Sequence, residues 1–168
     1  MIPFFDRGWD CYGTEVTEES VEIAKASSLK QKISSDIRLG FNTKLPFDNE
    51  QFDVLLSLGT IHYEETIEDV KLALKEFSRV LKRGGCALIE TTAPKQDWFV
   101  KSKHIKEQLY QLDLPSDLRH KQFFTFFEDE AKFRKIASEC FSSIEVARCT
   151  EQYPNTTIDI WIFKLSKT

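Results

Sequence analysis

The residue types that carry chemistry fall in a few short stretches of the chain. Glu15 closes "WDCYGTE", an apparent strand, and a polar, acidic helix start follows it. Ligands in open α/β sheets bind beyond the carboxyl ends of the strands. A carboxylate at such an end can accept both hydroxyls of a ribose diol, because both of its oxygens carry lone pairs. The plain alternative is a helix-dipole charge, a part already filled by Glu18 and Glu19. Asn42 lies just past a second strand, where its amide could read a base edge or simply shape a turn. Ser57 to Gly59 end a third strand, and small residues there let a ligand approach the backbone. His62 and Tyr63 come directly after, at the same sheet edge. An imidazole there could take a proton from a nucleophile, or pack as an ordinary loop residue. His104 and His120 stand in no comparable position.

The elements that must position these groups alternate in type. "MIPFFDRG" reads as the end of a helix stopped at Gly8, and Trp9 to Glu15 as a strand. Thr17 is a candidate N-cap for a helix with Val21, Ile23 and Ala24 on one apolar face. "KISSDIRLGF" is the next strand, leading into the turn-like "NTKLPFDNEQ". "FDVLLSLG" is a continuous apolar run, the pattern of a strand covered on both faces. "TIEDVKLALKEFSRVLKRGG" carries Val70, Leu74, Phe77 and Leu81 at helical spacing and should stop at Gly84-Gly85. "CALIETTA" is another strand, and "VKSKHIKEQLYQL" has helical character. The aromatic run Phe123 to Phe127 reads as core or as an apolar lid. "FEDEAKFRKIASECF" is an amphipathic helix with Phe133, Ile136, Ala137 and Cys140 turned inward. Two strands joined by a Tyr-Pro-Asn turn close the chain, and the alternation in "TIDIWIF" fits an antiparallel edge position. Strand–helix alternation with buried strands first predicts an open α/β sheet with helices on both faces.

Composition narrows the function classes. The 168 residues suit one domain, residues 1–168, with 41% apolar and 30% charged residues, as in soluble globular proteins. A net charge of −4 offers no basic footprint for nucleic acid. The four cysteines lack metal-ligand spacing and read as buried thiols of a reducing compartment, hence a cytoplasmic protein. No apolar run is long enough for a transmembrane helix, so no membrane partner is expected. The glycine-rich phosphate loops, the Gly-x-Ser-x-Gly elbow and metal-binding clusters are all missing from the sequence.

In this order, "GWDCYGTEVTEESVEIAK", "LPFDNEQFDVLLS", "ALKEFSRVLKRGGCALIE" and the closing helix with its strand pair resemble the Rossmann-like (class I) S-adenosylmethionine-dependent methyltransferases. The resemblance implies a three-layer α/β/α sandwich whose sheet is mostly parallel with an antiparallel C-terminal strand. It implies S-adenosylmethionine as cofactor, no metal, and methyl transfer to an acceptor. The aromatic content of the segment from Pro94 to Phe127 suggests that the acceptor is a small molecule. By this likeness Glu15 holds the ribose hydroxyls, Val16 packs on the adenine, and Ser57 and Leu58 border the methionine part. His62 would be the base and Tyr63 would face the substrate. Where the family often has an Asp before the Leu-Pro-Phe turn, this chain has Phe41-Asn42, which places the adenine contact there, on Asn42.

The family's first strand and Gly-x-Gly loop would precede Met1, so an N-terminally truncated domain is expected. Without that strand, the strands ending at Glu15 and Leu58 pair directly, take a strand from another chain, or belong to a fragment of a longer protein, which is the favoured expectation; unpaired edges would favour self-association. The competing expectation is an inactive methyltransferase-like fragment or a protein-interaction module.

Overall fold

The computed structural model describes residues 2–168; Met1, where the expected helix remnant begins, lies outside the described residues. Helix α1 (Ile2–Phe5) ends before Gly8, whose φ of +81° is the left-handed conformation that glycine tolerates at a helix exit. Strand β1 (Cys11–Glu15), helix α2 (Glu18–Lys30) and strand β2 (Ser35–Leu39) form a parallel β-α-β unit, with Glu15 opposite Leu39. Thr17 caps α2 as its position predicts, its hydroxyl oxygen accepting from the Ser20 amide at 3.1 Å. The helix buries only Val21, however. Ile23 stands exposed and Ala24 half-buried, because α2 meets the sheet along a narrow stripe.

Strand β3 (Phe52–Leu58), a 3-10 turn (Ile61–Tyr63), helix α3 (Ile67–Val80) and strand β4 (Leu81–Thr92) form a second parallel unit. Val70, Ala73, Leu74, Phe77 and Val80 are the buried stripe of α3, and Thr66 caps it through the Asp69 amide at 3.1 Å. The helix stops at Val80 rather than at Gly84-Gly85. Its last carbonyls are taken from outside, Arg79 O by the Glu50 amide at 2.9 Å and Val80 O by the Gln51 amide at 2.8 Å. Leu81 then pairs with Phe52, and Gly84 (φ +78°) serves a kink inside the extended segment.

The segment expected to be helical after Pro94 is mostly sheet. Past the short helix α4 (Asp97–Val100), β5 (Ser102–Lys106), β6 (Leu109–Leu112) and β7 (Phe123–Thr125) form a three-stranded antiparallel sheet. In β6, Tyr110 and Leu112 are buried and Gln111 is not, a period of two that the flanking Lys and Glu residues obscure. Glu107, at φ +48°, makes the turn without a glycine to announce it.

Helix α5 (Glu130–Ala137) and the long hairpin β8 (Ser143–Tyr153) and β9 (Thr156–Ser166) complete the chain. The helix is shorter than expected and is capped by Asp129; Phe133 and Ala137 are buried, and Ile136 and Cys140 half-buried. The main sheet has the order β3-β4-β9-β8, with β9 antiparallel to β4. Strand β9 is therefore internal and β8 is the edge, which corrects the expected edge position. Asp159 and Phe163 on β9 are fully buried, as an internal strand requires. The principal core joins Phe77, Ile89, Phe127, Phe133 and Phe163, with the Phe133 and Phe163 rings stacked at 4.3 Å. Each such burial contributes about 2 kcal/mol. The aromatic run thus does two jobs: Phe127 joins this core, while Phe124 and Phe126 pack with Tyr110, Leu112, Trp98 and Phe99 under the small sheet.

Among the described residues β1 and β3 do not pair with each other. The parallel part of the fold is split into two two-stranded halves, so the sheet is less uniformly parallel than expected. Leu56 and Leu58 on β3 and Tyr12 on β1 are exposed, where coverage on both faces of β3 was expected. Edge-to-face contacts of Tyr12 with Phe47 (5.9 Å) and Phe52 (5.1 Å) link the halves. All four cysteines are half-buried rather than fully buried. Among the described residues no helix is long and apolar enough to cross a membrane.

Candidate functional site

The C-terminal ends of β1 and β3 carry Glu15, Ser57 and Leu58, the short loops after β1, β2 and β3 carry Val16, Phe41, Asn42, His62 and Tyr63, and hydrogen bonds join these segments into one rim. The Gly40 amide donates to the Glu15 carbonyl at 3.0 Å, which sets the loop after β2 beside the end of β1. Gly40 itself cannot be larger: a Cβ there would lie 2.6 Å from Pro46 Cδ. Two residues on, Asn42 donates from Nδ2 to Glu64 Oε1 at 3.0 Å and to the Thr60 carbonyl at 3.5 Å. That reaches the loop after β3. There Ser57 and Thr60 share a hydroxyl–hydroxyl hydrogen bond of 2.8 Å, which anchors the strand end to the 3-10 turn. Gly59 between them has φ +68°, a turn conformation that L side chains avoid.

The rim offers different chemistry along its length. The half-buried Glu15 carboxylate has no hydrogen-bond or ion-pair partner among the described residues. Beside it, Val16 (59% exposed) and Phe41 (50% exposed) present apolar side chains to the outside, as does Leu58 (52%). Ser57 is buried, so its hydroxyl serves the Thr60 contact and only its backbone lies near the rim. An unpartnered carboxylate for a diol, apolar flanks for a planar ring and a fixed amide for the ring edge form a donor set that fits an adenosine moiety.

His62 belongs to a different environment, which its loop position did not foretell. It is 5% exposed and boxed by Tyr63 (4.8 Å between ring centroids), Phe124 (5.9 Å), Phe126 (6.3 Å) and Trp98 (6.4 Å). Neither ring nitrogen has a hydrogen-bond partner among the described residues. Burial, reinforced by the nearby Arg119 charge, pushes its pKa down to about 4, so the imidazole is neutral at physiological pH.

Tyr63 is exposed on the outer side of this box. Arg119 lies over the Trp98 ring at 3.6 Å and is paired through two nitrogens with Asp117 at 2.8 and 2.9 Å. Thr125 Oγ1 donates to the Glu64 carbonyl at 2.6 Å, fastening β7 of the small sheet to the loop after β3. The small sheet thus roofs the His62 side of the rim.

The structure places Glu15, Ser57 and Leu58 at strand ends and Phe41 and Asn42 on the connected loop after β2, with His62 and Tyr63 on the continuation of β3. Glu64, Thr60, Arg119 and Thr125 escaped the sequence reading. Their importance comes from contacts across 18 to 61 residues, for which the sequence carries no periodic or motif signal. Burial raises the Glu64 carboxyl above its ordinary range, and the hydrogen bond from Asn42 pulls in the opposite direction. No group of three or more His, Cys, Asp or Glu residues with metal-holding geometry occurs among the described residues.

Residues 2–89 match the family model of the methyltransferase domain, more than half of the chain, and the protein belongs to that family. A demethylmenaquinone methyltransferase of Staphylococcus haemolyticus is 32% identical over 155 residues, covering 77% of this chain and 60% of the relative. A probable tRNA methyltransferase 9B of Homo sapiens is 39% identical over 67 residues, which is 40% of this chain and 14% of the relative. The chain thus spans a minor part of some curated relatives. In fold it is similar to a SAM-dependent methyltransferase from Methanosarcina mazei, with TM-score 0.75 at 15% identity, over 99% of this chain and 86% of that one. The split, half-parallel sheet is accordingly a Rossmann-like class I architecture.

Proposed function

We propose that this chain binds S-adenosylmethionine along the rim formed by Glu15, Val16, Phe41, Asn42, Ser57 and Leu58 and serves methyl transfer to a small-molecule acceptor in the cytoplasm. The observation that carries the reading is the unpartnered Glu15 carboxylate beside exposed apolar side chains and an amide of fixed orientation. When bound, the cofactor supplies an electrophilic methyl group, so the protein's tasks are binding, orientation and exclusion of water. Glu15 accepts hydrogen bonds from the ribose hydroxyls, and Val16 and Phe41 flank the adenine. The backbone of Ser57 and Leu58 borders the methionine end.

On the acceptor side, His62 and Tyr63 mark the approach beneath the small sheet. His62 is neutral and carries one donor and one acceptor nitrogen without partners, which suits a hydrogen bond to the acceptor's hydroxyl or amine. With a pKa near 4 and Arg119 nearby, it accepts a hydrogen bond from the nucleophile during attack without taking the proton, which leaves for solvent after methyl transfer. The surrounding aromatic rings favour a flat, partly apolar acceptor.

Two observations favour other readings. One relative is described as a tRNA methyltransferase, which favours an RNA acceptor, although Lys101 and Lys103 by β5 are already paired with Asp97 and Asp113. The open inner edges of β1 and β3 favour strand addition from a second copy, or an interaction role without catalysis. Incubation with methyl-labelled S-adenosylmethionine, a panel of phenols and quinols, and bulk tRNA separates them. Label in the small-molecule fraction supports the main reading. Label in tRNA replaces its acceptor, and no label in either overturns the enzymatic reading.

A further inference from the structure

Asn42 and Glu64 meet in a way that fixes which end of an amide faces the rim. A side-chain amide has a donor end and an acceptor end, and its orientation follows from the partners around it. Both partners of Asn42 are acceptors: the Glu64 carboxylate at 3.0 Å and the Thr60 carbonyl at 3.5 Å. The NH2 group must therefore point toward them, since the flipped amide would set oxygen against oxygen. This leaves Asn42 Oδ1 as the end available to a ligand, and no hydrogen bond to it exists among the described residues.

Glu64 is well placed to hold this arrangement. Its backbone carbonyl is tied to Thr125 at 2.6 Å and its side chain is half-buried, so the carboxylate cannot swing away at no cost. We infer that Glu64 is a specificity-positioning residue: by holding the Asn42 amide with its oxygen outward, it makes the rim select a purine bearing a 6-amino donor over one bearing a 6-oxo acceptor. The inference rests on the cofactor reading of the rim given above. Without Glu64, Asn42 is retained only by the long contact to Thr60 and can turn its NH2 outward, which pairs with a 6-oxo group as well as the oxygen pairs with a 6-amino group. Glu64 touches no ligand in this account and acts through Asn42.

The test compares binding of S-adenosylhomocysteine and its deaminated analogue, S-inosylhomocysteine, to the full 168-residue chain by calorimetry. The native chain should prefer the adenosine compound by about tenfold or more, the usual scale for a mismatched hydrogen bond. In Glu64→Leu the preference should fall to within about threefold, with affinity for the inosine compound unchanged or improved. Glu64→Gln replaces the acceptor-only carboxylate with an amide that can also donate, so Asn42 can pair with it in either orientation and the preference should fall there too. Far-ultraviolet circular dichroism and thermal melts check that each variant folds. Should Glu64→Leu fail to fold, the near-isosteric Glu64→Gln carries the test, and a native-like preference in folded Glu64→Gln overturns the inference. An unchanged preference in a folded Glu64→Leu, or no preference in the native chain, overturns the inference while leaving the cofactor reading intact. Failure of the native chain to bind either compound overturns the cofactor reading itself, and this inference with it.

Discussion

The hydroxyl of Thr125 on β7 donates to the backbone carbonyl of Glu64 at 2.6 Å, joining the roof of the site to the loop after β3. Thr125 is buried, so this bond forms away from water. Thr125→Val keeps shape and size but removes the donor, leaving a carbonyl without that partner. It should lower stability by about 1–3 kcal/mol in urea unfolding. It should also speed amide hydrogen exchange in β5 to β7 more than in β8 and β9, since only the small sheet loses a tether.

His62 makes stability depend on mild acid. Its pKa in the folded chain lies near 4, below the ordinary value of 6.5, because burial disfavours the charged ring. The unfolded chain therefore takes up this proton first, and stability is lost as pH falls from 6.5 toward 4. The span corresponds to about 3 kcal/mol at most. His62→Phe should flatten the urea midpoint between pH 7 and pH 4.5, whereas a slope as steep as in the native chain would place the titrating group elsewhere.

A second pH window lies lower and has the opposite origin. Asp159 is fully buried; burial alone would raise its pKa, yet hydrogen bonds from Arg148, Thr150 and the Lys95 amide outweigh it and hold it at about 2. The stability it contributes is complete above the unfolded value of 3.8 and is lost as pH falls toward 2. Arg148 grips both carboxylate oxygens, at 2.8 and 2.6 Å. Arg148→Met leaves the carboxylate underpaired and should cost about 3 kcal/mol at pH 7. The double variant Arg148→Met/Asp159→Asn should recover part of that loss in the same unfolding measurement.

Arg79 holds the Leu-Pro-Phe turn against α3. Its guanidinium donates to the carbonyls of Leu45 (3.1 Å) and Phe47 (2.8 Å) and to Glu76 (2.7 and 2.8 Å). That turn follows Asn42, so the contact also orients the rim. Arg79→Lys keeps the charge but cannot span these partners together. It should open residues 43–50 to limited proteolysis before any other loop, whereas a cleavage pattern matching the native chain would contradict this role.

Much of this was readable from residue order because burial and capping leave local marks. The period of Val70, Leu74 and Phe77 places α3, and Thr17 and Thr66 mark helix starts by their own side chains. The family resemblance carried by the Leu-Pro-Phe and Arg-Val-Leu-Lys blocks gave the Rossmann-like fold class. The β5–β6 hairpin was not readable: its turn uses Glu107 in a left-handed conformation, and its outer strand is nearly all polar. The end of α3 depends on amides of Glu50 and Gln51, some 30 residues away in sequence. His62 was visible as a residue type, but the aromatic box that sets its protonation is assembled from Trp98, Phe124 and Phe126. Glu64 has no meaning until Asn42 is folded against it.

The most direct test of the account is calorimetric titration of S-adenosylhomocysteine into the native chain and into Glu15→Ala. The account predicts micromolar binding to the native chain and a loss of about tenfold or more in the variant, because two hydrogen bonds to a carboxylate are removed. Native-chain binding that Glu15→Ala leaves unchanged, or no binding to the native chain at all, would contradict it.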